Sequence, residues 1–220
     1  MSSDVTAASS VTFAAPQVRH LFSTPLVIAE LPPALAADIN PRLRDMILAR
    51  ANVTQTSQAS NRGGWQSDDR LPDWGGADVQ AVLGAISALV GQITMRADAS
   101  GLHKNDVMWK VNGWANINRK GHSNVQHIHP GAYWSAVYYV DVDDEASGGS
   151  FQAFDPRGGL ATMYCPVLRI GIDGYLNSGS SVAHMPKAGQ CLLFPSWMPH
   201  AVTPYMGEGA RISLAFNFSI

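Results

Sequence analysis

Arg211-Ile212-Ser213-Leu214-Ala215-Phe216-Asn217-Phe218 is the stretch that decides the fold. It alternates without a break. In an extended strand Ile212, Leu214, Phe216 and Phe218 fall on one face, and Arg211, Ser213, Ala215 and Asn217 on the other. The first face suits packing beneath helices. The second, with its arginine, suits the wall of a ligand cavity inside a small barrel. Residues 113–118 read the same way, with Trp114, Asn116 and Asn118 opposite Gly113, Ala115 and Ile117.

Working outward, a period of two runs through the chain from Val107. It predicts strands over 107–119, 124–129, 132–142, 150–154, 189–194, 200–204 and 210–219, separated by Gly, Asp, Pro and Ser clusters. Upstream the period is helical. Val79, Val82, Leu83, Ile86, Leu89, Val90 and Ile93 form one apolar stripe in a helix from Ala77 to about Ala97. Leu21 to Ala29 reads as a first strand, held near a sheet edge by Pro25. After Pro32-Pro33 a helix runs to about Ala51, with a break expected near Pro41. Residues 52–76 read as a long polar loop around Gly63-Gly64-Trp65-Gln66-Ser67, with Trp65 placed to fold over a site. Helices first and strands later predict an α+β domain, its helices packed on one face of an antiparallel sandwich. Residues 1–20 are expected to be a flexible arm and residues 21–220 one domain.

Composition narrows the partners. Hydrophobic residues make up 46% of the 220 and charged residues 15%, which describes a globular chain. A net charge of -2 without a long basic run gives no electrostatic reason to expect nucleic acid. No segment reads as a membrane span or a signal peptide. Cys165 and Cys191 are too few for a disulfide scaffold and are expected to be reduced thiols in a cytoplasmic protein, Cys191 in the core. Pairing of two copies across the edge of the first strand, giving a homodimer, is open to the chain.

The chemistry lies in three histidines. His127 and His129, at i and i+2 of one strand, share a face and grip one ion together. His200 ends Phe194-Pro195-Ser196-Trp197-Met198-Pro199-His200 and closes a facial set with coordination positions left open. Three imidazoles accept divalent iron and would also accept nickel, copper or zinc. Asp155, in Phe154-Asp155-Pro156-Arg157, is the alternate ligand, although a turn aspartate paired with Arg157 is the preferred reading. Arg211 and Ser213 suit bidentate recognition of a carboxylate with an added hydroxyl donor. Asn116 and Tyr139 are further candidates for holding a cosubstrate. The remaining tryptophans read as packing, and His103, His122 and His184 as surface residues, with His122 near enough to the pair to be a spare ligand.

As a set these motifs resemble the double-stranded β-helix, or cupin-like, superfamily. Within it they are similar to an uncharacterised branch of the Fe(II)/2-oxoglutarate-dependent oxygenases. The resemblance rests on Gly64-Trp65-Gln66-Ser67, His127-Ile128-His129-Pro130, Ser135-Ala136-Val137-Tyr138-Tyr139-Val140, Phe154-Asp155-Pro156-Arg157, Leu193-Phe194-Pro195-Ser196-Trp197 and Arg211-Ile212-Ser213. It implies a jelly-roll barrel with N-terminal helices packed on one sheet, and Fe(II) as cofactor. It also implies 2-oxoglutarate as cosubstrate, its far carboxylate on Arg211 and Ser213. The reaction implied is hydroxylation of a small-molecule or peptide substrate by O2, with release of succinate and CO2. One departure is plain: where that family's common triad has Asp or Glu, this chain has His129. Two rival readings keep the same residues. One is a cupin-like three-histidine dioxygenase that does not use 2-oxoglutarate, with Arg211 binding the substrate's carboxylate. The other is a metal- or small-molecule-binding barrel without turnover.

Overall fold

The computed structural model describes residues 17–57, 59–104, 107–143, 147–158, 165, 167–168, 170–174 and 179–220. Most of the expected N-terminal arm, residues 1–16, lies outside them. The helices are α1 (Pro33–Val53), α2 (Leu71–Trp74) and α3 (Gly76–Ile93). The strands are β1 (Val27–Glu30), β2 (Asn61–Arg62), β3 (Trp65–Gln66), β4 (Met95–Asp98), β5 (Gly101–Lys104), β6 (Lys110–Asn118) and β7 (Ser123–His127). They continue as β8 (Trp134–Asp141), β9 (Phe151–Phe154), β10 (Ser181–His184), β11 (Gln190–Pro195), β12 (His200–Val202) and β13 (Arg211–Ser219).

Two sheets face each other. The larger has the order β1-β11-β8-β13-β6-β3, the smaller β10-β9-β12-β7-β2, and β4 and β5 pair on their own. From β6 onward the chain passes back and forth between the two sheets, apart from the β9–β10 pair that stays within the smaller one, and this is the double-stranded β-helix expected. The sheets form an open sandwich rather than a closed barrel.

Strand β13 lies between β6 and β8, with Arg211 opposite Asn118, Ser213 opposite Asn116, and Asn217 opposite Asn112 and Ser135. Its outer face joins a core of Ile212, Leu214, Phe216 and Phe218 with Ala115, Ile117, Ala136, Tyr138 and Leu193. The helices close that core through Ile39, Leu43 and Ile47 of α1 and Val79, Val82, Ile86 and Val90 of α3. Each such side chain contributes roughly 1.5–3 kcal/mol on burial. Between the sheets sits a second cluster of Tyr139, Phe151, Leu192, Phe194 and Met198. Gly113 is required where β6 crosses β13, because a Cβ there would lie 2.6 Å from Phe216 Cδ1 and 2.7 Å from the Ala215 carbonyl oxygen.

Several expectations need correction. Helix α1 does not break at Pro41. Pro41 sits on the exposed face, where water can serve the carbonyl that loses its N–H partner, and the buried Ile39, Leu43 and Ile47 stripe runs past it intact. The polar 52–76 segment is not one loop but carries β2, β3 and α2. Helix α3 ends at Ile93, and residues 95–98 extend into β4 rather than continuing it. β1 is shorter than expected but is an edge strand, as Pro25 suggested. α3 does reach a length and a mean hydropathy, 1.3, compatible with a membrane span. Its apolar stripe instead packs on the sheet.

Candidate metal centre

β7 and β12 are antiparallel neighbours in the smaller sheet, and their register sets His127 directly opposite His200. Their ring centroids are 4.3 Å apart. His129 stands just past the end of β7, not within it as the pattern predicts. Its backbone N–H donates to the Ser196 carbonyl at 2.9 Å, which ties it to the turn between β11 and β12. Its ring lies 5.0 Å from each of the other two by centroid. The three side chains each present one ligand nitrogen, all within 4.8 Å of one another. His129 Nε2 and His200 Nε2 are 3.2 Å apart. Adjacent ligands about 2.1 Å from one ion are separated by about 3 Å, so the spacing suits a shared metal.

The tautomers suit it too. His127 Nδ1 lies 2.7 Å from the Val125 carbonyl and His200 Nδ1 2.9 Å from the Met198 carbonyl. A carbonyl only accepts, so both protons sit on Nδ1 and both Nε2 lone pairs are available. Burial holds all three rings neutral. It pushes His127 below its ordinary value. His129 falls to about 4 through burial and then the neighbouring His127, and His200 to about 3 for the same two reasons. Phe194 and Phe151 flank the His200 ring at 4.7 and 5.5 Å, and Trp114 lies 5.5 Å from His129.

On the same inner face of β13, Arg211 is 2% exposed. Its Nε and Nη2 are buried with no hydrogen-bond partner, as is the Tyr139 hydroxyl. The guanidinium carbon sits 4.9 Å from the Tyr139 ring centroid, and among the described residues no carboxylate forms an ion pair with it. Burial lowers the pKa of Arg211, as it must for a cation without an anion, and raises that of Tyr139 to about 12. Gly149, at φ +73°, leaves room for this side chain; a Cβ there would lie 2.9 Å from Arg211 Cδ. Ser213 is also buried, and its strand neighbours are Asn116 and Tyr139. Arg211, Ser213, Asn116 and Tyr139 thus form one polar patch against the inter-sheet space.

Asp155 is not brought to the histidines. Its carboxylate accepts from Arg157 Nε and Nη2 at 3.0 and 2.8 Å, from the Arg157 backbone N–H, and from that of Gly179. This is the turn arrangement, and it keeps the carboxylate ionised. Trp65 does not fold over the site. It pairs with Ile117, packs into the helix-side core, and donates its indole N–H to Thr54. His103 is bound to Asp98 and Ser100, His122 accepts from the Arg119 backbone, and His184 meets Gln190. The sequence pattern missed Trp114 as a neighbour of His129. It also missed Asn217, whose place on the polar face of β13 was the available signal.

Three neutral imidazoles converging on one point, with a buried guanidinium lacking a carboxylate partner among the described residues, are the groups a non-haem metal oxygenase would use. Residues 112–217 match the sequence profile of the family described as "Putative 2OG-Fe(II) oxygenase". That stretch, just under half of the chain, contains every candidate ligand, and its match supports a 2-oxoglutarate-dependent Fe(II) oxygenase. No curated protein matches the chain by sequence. Solved structures share the fold. A Pseudomonas putida prolyl-4-hydroxylase is 17% identical with a TM-score of 0.60, over 90% of this chain and 94% of that one. A prolyl hydroxylase from Trichoplax adhaerens, in complex with a hypoxia inducible factor peptide fragment, is 14% identical with a TM-score of 0.62, over 90% and 85%. A viral collagen prolyl hydroxylase from Paramecium Bursaria Chlorella virus-1, as a 2-oxoglutarate complex, is 11% identical with a TM-score of 0.57, over 89% and 96%.

Proposed function

We propose that His127, His129 and His200 hold the Fe(II), and that Arg211 and Ser213 receive the far carboxylate of 2-oxoglutarate. Asn116 and Tyr139 line the same pocket. The observation that carries the reading is the buried Arg211 guanidinium, which has no carboxylate partner among the described residues and whose Nε and Nη2 have no acceptor within hydrogen-bonding distance. A buried cation is tolerated when an anion completes it, and a carboxylate matches the fork of guanidinium donors. The Tyr139 hydroxyl beside it is a second buried polar group, whose one polar neighbour of note is Arg211 itself.

Bound Fe(II) and 2-oxoglutarate supply the oxidising chemistry, in which 2-oxoglutarate is decarboxylated to succinate and carbon dioxide while one oxygen atom of O2 enters a substrate C–H bond. The chain's part is positional. The carbonyls of Val125 and Met198 orient His127 and His200. Phe151 and Phe194 form an apolar wall on the His200 side and keep water from it. Three neutral ligands leave the ion's charge uncompensated, which favours an anionic chelator. The substrate is a small molecule or a peptide side chain; the peptide complex of the Trichoplax enzyme, on the same fold, supports the second.

The test is anaerobic addition of 2-oxoglutarate to Fe(II)-loaded protein, followed in the visible range. A charge-transfer band that disappears in Arg211→Ala, with iron retained, is the expected result. Iron binding without a band favours the cupin-like reading, with Arg211 anchoring a substrate carboxylate.

A further inference from the structure

His127 and His200 each have a backbone carbonyl to fix the proton on Nδ1; His129 does not. Its Nδ1 faces the side-chain amide of Asn217, whose Nδ2 is 3.4 Å away. The opposite end of that amide, Oδ1, accepts from Ser135 Oγ at 2.8 Å, and Ser135 Oγ lies 2.9 Å from Ser196 Oγ. Both serines are buried, at 2% and 0% exposure. We infer that Asn217, backed by the Ser135–Ser196 hydroxyl pair, is the positioning residue that holds the Nδ1 side of the His129 ring and, by turning its amide oxygen to accept from Nδ1–H, frees Nε2 to serve as a metal ligand.

The two ends of an amide are nearly equal in shape and opposite in hydrogen-bonding sense, and rotation by 180° exchanges them. With nitrogen toward the ring, Asn217 donates to His129 Nδ1. The imidazole proton then sits on Nε2, the atom 3.2 Å from His200 Nε2, and that ligand position is blocked. With oxygen toward the ring, Asn217 accepts from Nδ1–H and the Nε2 lone pair is free. The hydroxyl pair permits either sense. In the first, Ser196 donates to Ser135 and Ser135 donates to Asn217 Oδ1. In the second, Asn217 Nδ2 donates to Ser135 and Ser135 donates to Ser196. Asn217, Ser135 and His129 Nδ1 keep their partners in both, so reversal leaves none of them unpaired. The proton changes nitrogen within one neutral ring, so none is gained or lost overall. The oxygen-first sense is the metal-holding one.

The same network locates the ring. Asn217 and Ser135 are strand neighbours, and Ser196 bridges onward through its carbonyl to the His129 backbone N–H. The larger sheet therefore holds the His129 ring and the turn that leaves β11 holds its backbone, while the smaller sheet supplies His127 and His200.

This inference rests on the three-histidine reading above, and one experiment separates their failures. Zn(II) alone is titrated against a competing chelator in wild type, His127→Ala, Asn217→Asp, Asn217→Leu and Ser135→Ala. Long-range proton–nitrogen correlation spectra of the Zn(II)-loaded wild type then report the His129 tautomer. A carboxylate in place of the amide supplies an acceptor only, so Asn217→Asp retains wild-type affinity within a few-fold. Asn217→Leu removes the partner and binds about 10- to 100-fold more weakly. Ser135→Ala, which keeps Asn217 but removes its backing, falls between them. The wild-type spectrum shows His129 protonated on Nδ1. Should Asn217→Leu not fold, Ser135→Ala and the wild-type spectrum still decide the matter. Asn217→Leu binding like wild type while His127→Ala has lost binding overturns the role of Asn217 and leaves the metal site standing, as does a His129 proton on Nε2 with Zn(II) bound. Equal binding by wild type and His127→Ala overturns the three-histidine reading, and this inference with it.

Discussion

Replacing Arg211 with methionine should raise the stability of the ligand-free protein while abolishing its response to 2-oxoglutarate. Arg211 is 2% exposed, and two of its nitrogen donors have no acceptor. Exchanging a buried, poorly compensated charge for an apolar side chain of similar volume is stabilising by about 1–4 kcal/mol in comparable cases. For a chain of this size each kcal/mol moves Tm by roughly 2–4 °C. Binding moves in the other direction. Hydrogen bonds to a charged group contribute about 1.5–3 kcal/mol each, and two are at stake. A loss of about 3 kcal/mol already weakens 2-oxoglutarate by more than about 100-fold. Wild type saturated at about 100 times Kd gains about 2.7 kcal/mol, and the variant should gain almost nothing. Thermal melts with Zn(II) in place of iron, with and without 2-oxoglutarate, read both effects at once. A variant that melts lower than wild type and keeps the full 2-oxoglutarate shift would refute the reasoning, because Arg211 would then be a structural cation with a protein partner.

Other outcomes follow from the same geometry. Asp155→Asn should leave metal stoichiometry unchanged, measured by elemental analysis, because that carboxylate is occupied by Arg157. His200→Ala should reduce bound metal to background in the same assay. Gly113→Ala should cost about 1–3 kcal/mol in a denaturant titration, since the added Cβ meets the Phe216 ring and a backbone carbonyl. Cys191, whose thiol is pushed up to about 12 by burial, should resist alkylation at pH 8 until the protein is unfolded, as read by mass spectrometry.

The strand pattern carried much of this structure. The alternation in β13 separated Arg211, Ser213 and Asn217 from Ile212, Leu214, Phe216 and Phe218, and the two groups do face the inter-sheet space and the helix-side core. Such patterns are legible because each side of a strand meets one environment along its whole length. Features whose environment comes from elsewhere were not. β10 carries no clean alternation and is defined by its pairing with β9. Trp65 sits in a polar stretch, and only its pairing with Ile117 turns it toward the helices. Pro41 is tolerated because of which face of α1 it occupies, a fact that needs the partner surface to be known.

At the site the same division holds. By itself the sequence determined the candidate ligand types and the inward side of the last strand, because these follow from residue chemistry and a repeat of two. Only the tertiary structure decided that His200 stands across from His127 and that Asp155 is spent on Arg157. It alone set Asn217 and Ser135 behind His129 and left Arg211 buried without a protein anion. Each of these depends on which strands become neighbours, and at what register. That choice is made by the packing of the whole sandwich, not by any local stretch of chain.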